Sequence, residues 1–203
     1  MSSVALHPLG KIVRLQIQRS PLKIGEKPNR VYDPSPILAV NELTLTPQGA
    51  VAPALDGAPL LDVHHADHPQ TRNVKGVNAL SVGFTSHYAA IRTQYGQHVA
   101  DGCAGENILI ETDGRVDWGR VAGGIAIQPA GVDAPVWLRV NQVAAPCREF
   151  SGYVMDGPGA AALKEALQFL DDGLRGFYCA LAGSEPVTIA VGDRVLIPAA
   201  EKL

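Results

Sequence analysis

Cysteine is scarce in this 203-residue sequence, which contains only Cys103, Cys147 and Cys179. An odd number of cysteines without a short paired spacing argues against a disulfide scaffold and against a cysteine-rich zinc site. We therefore expect at least one free thiol. Cys179 lies in the apolar run "GFYCALAG" and is expected in the core, whereas Cys103 lies between small residues and could be accessible.

An excess of charge of one sign is also lacking, because 17 basic and 20 acidic side chains give a formal net charge of −3. This balance gives no support for a polyanion-binding surface, so nucleic acid is not an expected partner. No apolar run approaches the roughly 20 residues that cross a bilayer, and the start of the chain lacks a basic head followed by an apolar segment. We expect a soluble, cytoplasmic protein without a membrane partner.

Glycine and proline, by contrast, are plentiful, with 21 and 15 residues spread along the chain. This pattern is typical of many turns between short strands. A hydrophobic fraction of 46% is enough for a core, and the length favours one domain over residues 1–203. Two alternating sets are expected on opposite faces of a first strand: Ile12, Arg14 and Gln16, and Val13, Leu15 and Ile17.

Two helices are predicted between the strands. Residues 85–96 form the first, with Thr85 or Ser86 as its cap and Gly96 as its stop. Residues 157–173 form the second, in which leucines and alanines recur at helical spacing before a final glycine. Both helices are expected to pack on the outside of a β core.

The turns complete the prediction of the fold class. A turn at residues 47–49 predicts a hairpin, and Gly192 and Asp193 predict a hairpin or a barrel corner. The segments "ENILIE", "GGIAIQ", "PVWLRVNQV" and "RGFYCALAG" are typical of strands. The fold class is therefore mostly β, a barrel with a few peripheral helices, because the strands do not alternate regularly with helices as a parallel sheet requires.

Cys147 is a candidate for chemistry because of its neighbours. Pro146 restricts the backbone, so the cysteine is expected at the stiff end of the preceding strand. Arg148 would favour a thiolate, which attacks electrophiles and binds soft metals, whereas Glu149 would oppose it. On the residues alone, Cys147 is either a functional thiol or a small buried apolar residue.

A glycine-rich turn, "DGCAGENILIE", is a second candidate. Its glycines permit close backbone approach, and Glu106 and Asn107 then offer a carboxylate and an amide at the start of a strand. The turn, with Gly105, could hold a polar ligand, or its asparagine could simply cap the backbone.

A third candidate is the loop "DVHHADHPQTRN", which is rich in imidazoles and carboxylates. It partly resembles the His-x-His-x-Asp-His motif of the metallo-β-lactamase superfamily, with His65, Asp67 and His68 aligned but Val63 in place of the first histidine. This arrangement would suit zinc or iron. In the alternative interpretation the imidazoles, together with Arg72 and Asn73, hydrogen-bond an anionic or heterocyclic ligand.

Three motifs in order make the chain similar to the MOSC domain family, which is named from the C-terminal part of molybdenum cofactor sulfurases. They are "GCAGENI" (Gly102 to Ile108), "APC" (Ala145 to Cys147) and "VGDRVLI" (Val191 to Ile197). The resemblance covers roughly residues 60–198. Where common members of the family have a Gly-Gly-rich segment, this chain has "HHADHPQ".

The resemblance implies a β-barrel that binds molybdenum cofactor. Cys147 would either ligate the molybdenum or carry sulfur as a persulfide, both of which use a thiolate as a soft donor. The resemblance also implies a set of cofactor-binding residues around the pocket: Gly105, Glu106, Asn107, His65, His68, Arg72, Asn73 and Arg148.

Four hypotheses for function follow. The first is reduction of an N-oxygenated small molecule on a molybdenum cofactor, with electrons from a separate reductase. The second is a sulfur carrier that uses a Cys147 persulfide, supplied by a donor of the cysteine desulfurase type. The third is a metal-dependent hydrolase that uses the loop His64 to His68, and the fourth is a binding module without catalysis. No aminotransferase-like domain accompanies the motifs, so covalently bound pyridoxal phosphate is not expected.

Overall fold

Short strands make up most of the regular structure in the computed structural model, which describes residues 5–54, 57–157 and 160–199. The strands are β1 (Leu6–Gln18), β2 (Lys23–Ile24), β3 (Val31–Tyr32), β4 (Ile37–Val40), β5 (Glu42–Thr46), β6 (Gly49–Ala52), β7 (Leu60–Leu61), β8 (Leu80–Phe84), β9 (Ile108–Glu111), β10 (Ile125–Gln128), β11 (Val136–Val143), β12 (Phe177–Leu181), β13 (Val187–Ala190) and β14 (Arg194–Pro198). The helices are α1 (Thr85–Tyr95), α2 (Trp118–Val121), α3 (Arg148–Met155) and α4 (Ala160–Phe169).

Seven of these strands close into a barrel in the order β14, β10, β11, β12, β8, β9 and β1, and pairing of β1 with β14 completes the circle. Every neighbouring pair is antiparallel except β8 and β9, which are parallel. Strand β4 extends the sheet beyond β1, and β13, β5, β6 and β7 form a second sheet. The predicted fold class, a mostly β barrel with peripheral helices, is confirmed.

Two apolar clusters stabilise this arrangement. The larger one fills the barrel with alternate side chains of its strands, such as Ile108 and Ile110 of β9. Leu109, which lies between them in sequence, points the other way into a second cluster with Tyr88 of α1 and Phe150 of α3. The alternation of β9 thus joins the barrel to its helices, because successive strand residues face opposite sides.

Strand β1 departs from the predicted alternation at one position. Between Ile12 and Arg14 the register against β9 shifts, which marks a β-bulge at Val13. Ile12 therefore faces the barrel interior together with Leu15 and Ile17, and its predicted place beside Arg14 and Gln16 is wrong. A bulge adds one residue to one strand and so exchanges the two faces beyond it.

Helix α1 begins and ends where the sequence predicts, but its predicted cap is wrong. The residue at the cap position is Phe84, and no side chain caps the first turn. The Ser86 hydroxyl instead bonds Thr112 at 2.7 Å, and the Thr85 hydroxyl accepts from the Thr112 amide at 3.1 Å. Both hydroxyls therefore join the start of α1 to the end of β9. Gly96 ends the helix at φ 107°.

The remaining turns place the motifs at the edge of the barrel. The hairpin at residues 47–49 is confirmed by the antiparallel pair of β5 and β6. Gly192 and Asp193 form a barrel corner, since β13 pairs with β5 while β14 pairs with β1 and β10. Helix α4 ends at Phe169, four residues before the predicted glycine, and residues 158–159 of the predicted helix lie outside the described residues.

The described residues contain no membrane-spanning helix. No helix there combines the length and the hydrophobicity that a bilayer crossing needs.

Candidate functional site

A cavity of about 250 Å³ opens beside the barrel, and Cys147 lies in its wall. The wall is built from the end of β1, the hairpin of β2 and β3, the loop after β7, the turn before β9, and the segment that connects β11 to α3. Four cationic side chains and one carboxylate also line it: Lys23, Arg30, Arg72, Arg175 and Glu106. The cavity is therefore suited to an anionic ligand.

Cys147 lies at the start of a helix that the sequence analysis missed. Strand β11 already ends at Val143, so the predicted position of the cysteine at a strand end is wrong. Cys147 has extended backbone angles and immediately precedes α3, and its carbonyl accepts the first helical hydrogen bond from Ser151 at 2.9 Å. Phe150 and Val154, one turn apart and buried, are the signal that could have revealed this helix.

Arg175 is the site residue that sequence reasoning overlooked most clearly. Its guanidinium lies 4.0 Å from the centre of the Phe150 ring and donates to the Ala104 carbonyl at 3.2 Å. Burial lowers the pKa of Arg175, but acidic groups nearby, first Tyr32 and then Glu106, outweigh it, so that the pKa is raised overall. The signal available in the sequence is an arginine in the segment "GLRG", directly before an apolar strand.

Two guanidinium nitrogens in the cavity wall lack a hydrogen-bond partner within the described residues. The Nε atoms of Arg30 and Arg175 are buried and make no hydrogen bond within the described residues. Buried donors are normally paired, so each such atom needs an explanation. A ligand with acceptor oxygens would provide one.

The glycine-rich turn contributes Gly105 and Glu106 to the cavity wall. Tyr88 donates its hydroxyl proton to Oε2 of Glu106 at 2.7 Å. Burial raises the pKa of Glu106, against the opposing effects of Arg175 and of the Tyr88 hydrogen bond. The turn thus presents a buried carboxyl group whose protonated form is favoured relative to an exposed glutamate.

Asn107 lies behind this wall, because it is fully buried and does not line the cavity. Its side-chain oxygen accepts from the Ser81 amide at 3.0 Å, and its side-chain nitrogen donates to Asp62 at 3.0 Å and to the Gln16 carbonyl at 3.3 Å. It joins β1, β8 and the loop after β7. We therefore expect Asn107 to influence the shape of the cavity by holding these three segments together, without contacting a ligand itself.

The loop after β7 places its histidines differently from the sequence prediction. His64 lines the cavity, whereas His65 and His68 do not. The Nδ1 atom of His65 accepts from the Asp67 amide at 3.2 Å, and burial lowers the pKa of this histidine. His68 accepts from the Gln70 amide at 3.1 Å. Both rings are therefore used in the turns of the loop itself.

Of the other residues predicted to bind the cofactor, one lines the cavity and two do not. Arg72 reaches the cavity, but Asn73 supports the loop by donating to the His64 carbonyl at 3.0 Å. Arg148 is exposed and lies outside the cavity wall.

A metal site in the histidine loop is not supported. Throughout residues 5–54, 57–157 and 160–199, no three histidine, cysteine, aspartate or glutamate side chains lie close enough together to hold a metal ion. The expectation of a metal site at His65, Asp67 and His68 is therefore not met.

Comparison with known proteins agrees with the motifs. The family model described as "MOSC domain" matches residues 64–196, which is more than half of the chain. No curated protein matches the chain significantly.

Solved structures share the fold. The YuaD protein from Bacillus subtilis superposes with a TM-score of 0.60 at 15% identity, over 96% of this chain and 98% of that one. YiiM from Geobacillus stearothermophilus superposes with a TM-score of 0.51 at 14% identity, over 96% of this chain and 76% of that one. YiiM from Escherichia coli superposes with a TM-score of 0.50 at 15% identity, over 80% of this chain and 65% of that one. At these identities the likeness concerns the fold, while the family follows from the match to its model. The chain belongs to the MOSC domain family.

Proposed function

We propose that the chain binds molybdenum cofactor in this cavity, with Cys147 as a molybdenum ligand, and reduces an N-oxygenated small molecule with electrons from a separate reductase. The observation that carries the proposal is that one cavity brings the Cys147 thiol together with four cationic side chains. MOSC domains are associated with this cofactor, and the family match makes it the first ligand to test.

The residues present fit the chemical groups of the cofactor. A thiolate is a soft donor that suits molybdenum, and guanidinium groups suit a phosphate because they donate in a planar fork. Arg30 and Arg175 supply the buried donors without partners in the described chain. Gln18 and Glu106 offer an amide and a carboxyl group to the edges of a heterocycle.

The protein would contribute binding and orientation, and the bound cofactor would supply two-electron redox chemistry. Arg175 is fixed by the Phe150 ring and the Ala104 carbonyl, so it meets an anion without losing much side-chain freedom. Tyr32 donates to the Cys103 carbonyl at 2.9 Å and thereby holds the hairpin of β2 and β3 over the cavity.

The test is metal and pterin analysis of protein purified from a host that makes the cofactor. We expect molybdenum and a fluorescent oxidised pterin in the natural protein and loss of molybdenum in Cys147→Ser. Cys103→Ala is the matched control, since it removes a buried thiol that does not line the cavity. Molybdenum that persists in Cys147→Ser, or that is absent from the natural protein, contradicts the proposal.

A sulfur carrier is the second candidate, favoured by the different accessibility of the three thiols. Cys103 and Cys179 are buried, whereas Cys147 is half-buried in the cavity wall. In this function the Cys147 thiolate attacks the outer sulfur of a persulfide donor of the cysteine desulfurase type. A sulfur–sulfur bond forms at Cys147, the sulfur–sulfur bond of the donor breaks, and the donor leaves as a thiolate.

Mass spectrometry separates the two candidates. A metal-free protein that gains the mass of one sulfur atom at Cys147 on incubation with such a donor supports the carrier, and Cys147→Ser should gain none. Either function needs a reduced thiol, so we place the protein in a reducing compartment such as the cytoplasm.

A further inference from the structure

An aspartate–histidine pair lies at the wall of the cavity, and neither the cofactor fit nor the thiol chemistry uses it. Asp62 is fully buried, and His64, two residues later, lines the cavity with 30% of its side chain exposed. The Oδ1 atom of Asp62 lies 2.9 Å from Nδ1 of His64 and 2.8 Å from the His64 amide nitrogen.

The remaining partners of Asp62 are all hydrogen-bond donors. Its Oδ2 atom accepts from the Gln18 amide at 2.7 Å and from the Asn107 side-chain nitrogen at 3.0 Å. Both oxygens of the carboxyl group therefore accept from nitrogens that can only donate, namely the His64 and Gln18 amides and the Asn107 side-chain nitrogen, and this pattern is that of a carboxylate. Nδ1 of His64 is therefore the protonated nitrogen of this contact, because a carboxylate oxygen can only accept.

This contact leaves Nε2 as the nitrogen of His64 that a ligand can meet. No hydrogen bond to Nε2 occurs within the described residues, and the ring belongs to the cavity wall. Buried carboxylates that hold Nδ1 in this way fix the ring orientation and stabilise the imidazolium that forms when Nε2 takes a proton. The main chain of His64 is held as well, since Asn73 donates to its carbonyl at 3.0 Å.

Several other ionisable side chains of the wall are less suited to proton transfer. Burial holds the pKa of Tyr32 well above its ordinary value, and Glu106 is already bound by the Tyr88 hydroxyl. Arginine does not release protons in proteins, and Cys147 is assigned to the metal or to sulfur. Histidine is the side-chain type that exchanges protons most readily near neutral pH.

We propose that His64 is the proton-transfer residue of the cavity and that Asp62 is its positioning residue. The inference rests on the proposed function for the identity of the substrate. In the reduction of an N-hydroxylated compound, the nitrogen–oxygen bond breaks and two electrons arrive from the reductase. Nε2 of protonated His64 gives a proton to the departing oxygen, a second proton comes from solvent, and the products are the N–H compound and water.

The kinetic test uses the loaded enzyme with reduced methyl viologen as electron donor and N-phenylhydroxylamine as substrate. We expect kcat of His64→Ala to fall about 100-fold or more, with little change in KM, because positioned acid–base groups contribute about 100- to 10,000-fold. Added imidazole should restore part of kcat in His64→Ala, which loss of a merely structural side chain would not allow. His7→Ala, an exposed histidine outside the cavity, is the matched control.

A second measurement does not need the cofactor. In ¹⁵N-labelled, cofactor-free protein we expect neutral His64 to carry its proton on Nδ1, and we expect Asp62→Asn to shift the population towards Nε2. A His64 that carries its neutral proton on Nε2 in the natural protein overturns the inference. Should Asp62→Asn fail to fold, the natural protein and His64→Ala still decide the outcome.

The two proposals fail in different ways. Molybdenum retained in His64→Ala with kcat unchanged overturns the role of His64 and leaves the cofactor proposal intact. Absence of molybdenum from the natural protein contradicts the cofactor proposal. The position of the His64 proton then still supports or overturns its pairing with Asp62.

Discussion

The three cysteines show how one residue type takes its chemistry from its surroundings. Burial raises the pKa of Cys103 to about 12, with Glu106 adding to the effect, and burial alone raises the pKa of Cys179. Both are therefore poor sources of thiolate, the nucleophilic and metal-binding form. Cys147 is the half-buried member of the set, and it borders the cavity. The prediction that Cys179 belongs to the core is confirmed, and the accessibility considered for Cys103 is wrong.

His87 is a buried histidine whose hydrogen bonds are structural. Its Nε2 accepts from the Val116 amide at 2.9 Å, so Nδ1 carries the proton and donates to the Leu174 carbonyl at 3.2 Å. Burial lowers the pKa of His87 to about 4. The ring ties α1 to the segments that precede α2 and β12.

The stability of the protein should therefore depend on pH through His87. Its pKa is lower in the folded chain than in the unfolded chain, so the unfolded chain binds the extra proton between these two values. The contribution of neutral His87 is fully present above about pH 6.5, the unfolded value. It is lost as the pH falls towards the folded value, by up to about 1.4 kcal/mol per pH unit.

Urea unfolding at pH 7 and pH 5 checks this expectation. The free energy of unfolding should decrease more between the two pH values in the natural protein than in His87→Gln, which cannot take up the proton. Comparing the decrease in the two proteins removes the contribution of the other titrating groups, provided that both proteins unfold in two states. Equal decreases in the two proteins would count against the assignment.

At the scale of elements, the bulge in β1 and the glycine-rich turn form the cavity wall together. Beyond the bulge, Gln16 and Gln18 point away from the barrel interior, and their side-chain nitrogens donate to the carbonyls of Gly102 and Gly105 at 2.7 and 2.8 Å. Both glycines have positive φ angles. The turn can approach β1 this closely because neither glycine carries a Cβ atom.

Gly105→Ala is expected to damage this contact. A Cβ atom at residue 105 would lie 2.5 Å from the side-chain nitrogen of Gln18, and the φ angle of +89° disfavours any L side chain. We expect a loss of about 1–3 kcal/mol in the free energy of unfolding, together with reduced molybdenum content. Gly183→Ala is the control, since nothing lies within 4 Å of its added Cβ atom. Denaturant melts and metal analysis of both variants provide the measurement.

The segment around Cys147 shows what local signals could and could not predict. The alternation of β11 was predicted correctly, with Val136, Leu138 and Val140 on its buried face. The backbone restriction by Pro146 predicts that the strand continues to Cys147, but this segment instead leads into α3. Local restriction by proline is compatible with either outcome, and packing of Phe150 between Tyr32 and Arg175 favours the helix.

At the scale of the molecule, closure of the barrel depends on the corner between β13 and β14. Asp193 is buried there, and its carboxylate accepts from the Ala190 amide at 2.7 Å and from the Ala130 amide at 3.1 Å. Its main chain also pairs with Ile12 of β1 at 2.9 Å. One side chain thus satisfies backbone groups of two separate segments where the sheet closes.

Asp193→Ala should therefore weaken the whole fold and leave the cavity chemistry intact. We expect the free energy of unfolding to fall by about 1–3 kcal/mol, because two amides each lose a hydrogen bond that contributes about 0.5–1.5 kcal/mol. Molybdenum content per folded chain should remain that of the natural protein. Thermal and urea unfolding measure the first effect, with the exposed Asp133→Ala as control. A fall in metal content without a change in stability would contradict this division of roles.

The sequence by itself determined several of the strands, the hairpin at residues 47–49, the class of fold and the family. These features depend on local physics, namely the two-residue period of strands and the permissive backbone of glycine, and on motifs in a fixed order. Tertiary structure decided which side chains meet in the cavity. His64 rather than His65 faces it, and Arg175 joins Cys147 there, because a closed barrel brings distant segments together. The bulge at Val13 exchanges the two faces of β1, and the alternation of residues in the sequence does not reveal it. Only the pairing of β1 with β9 fixes the register at this position.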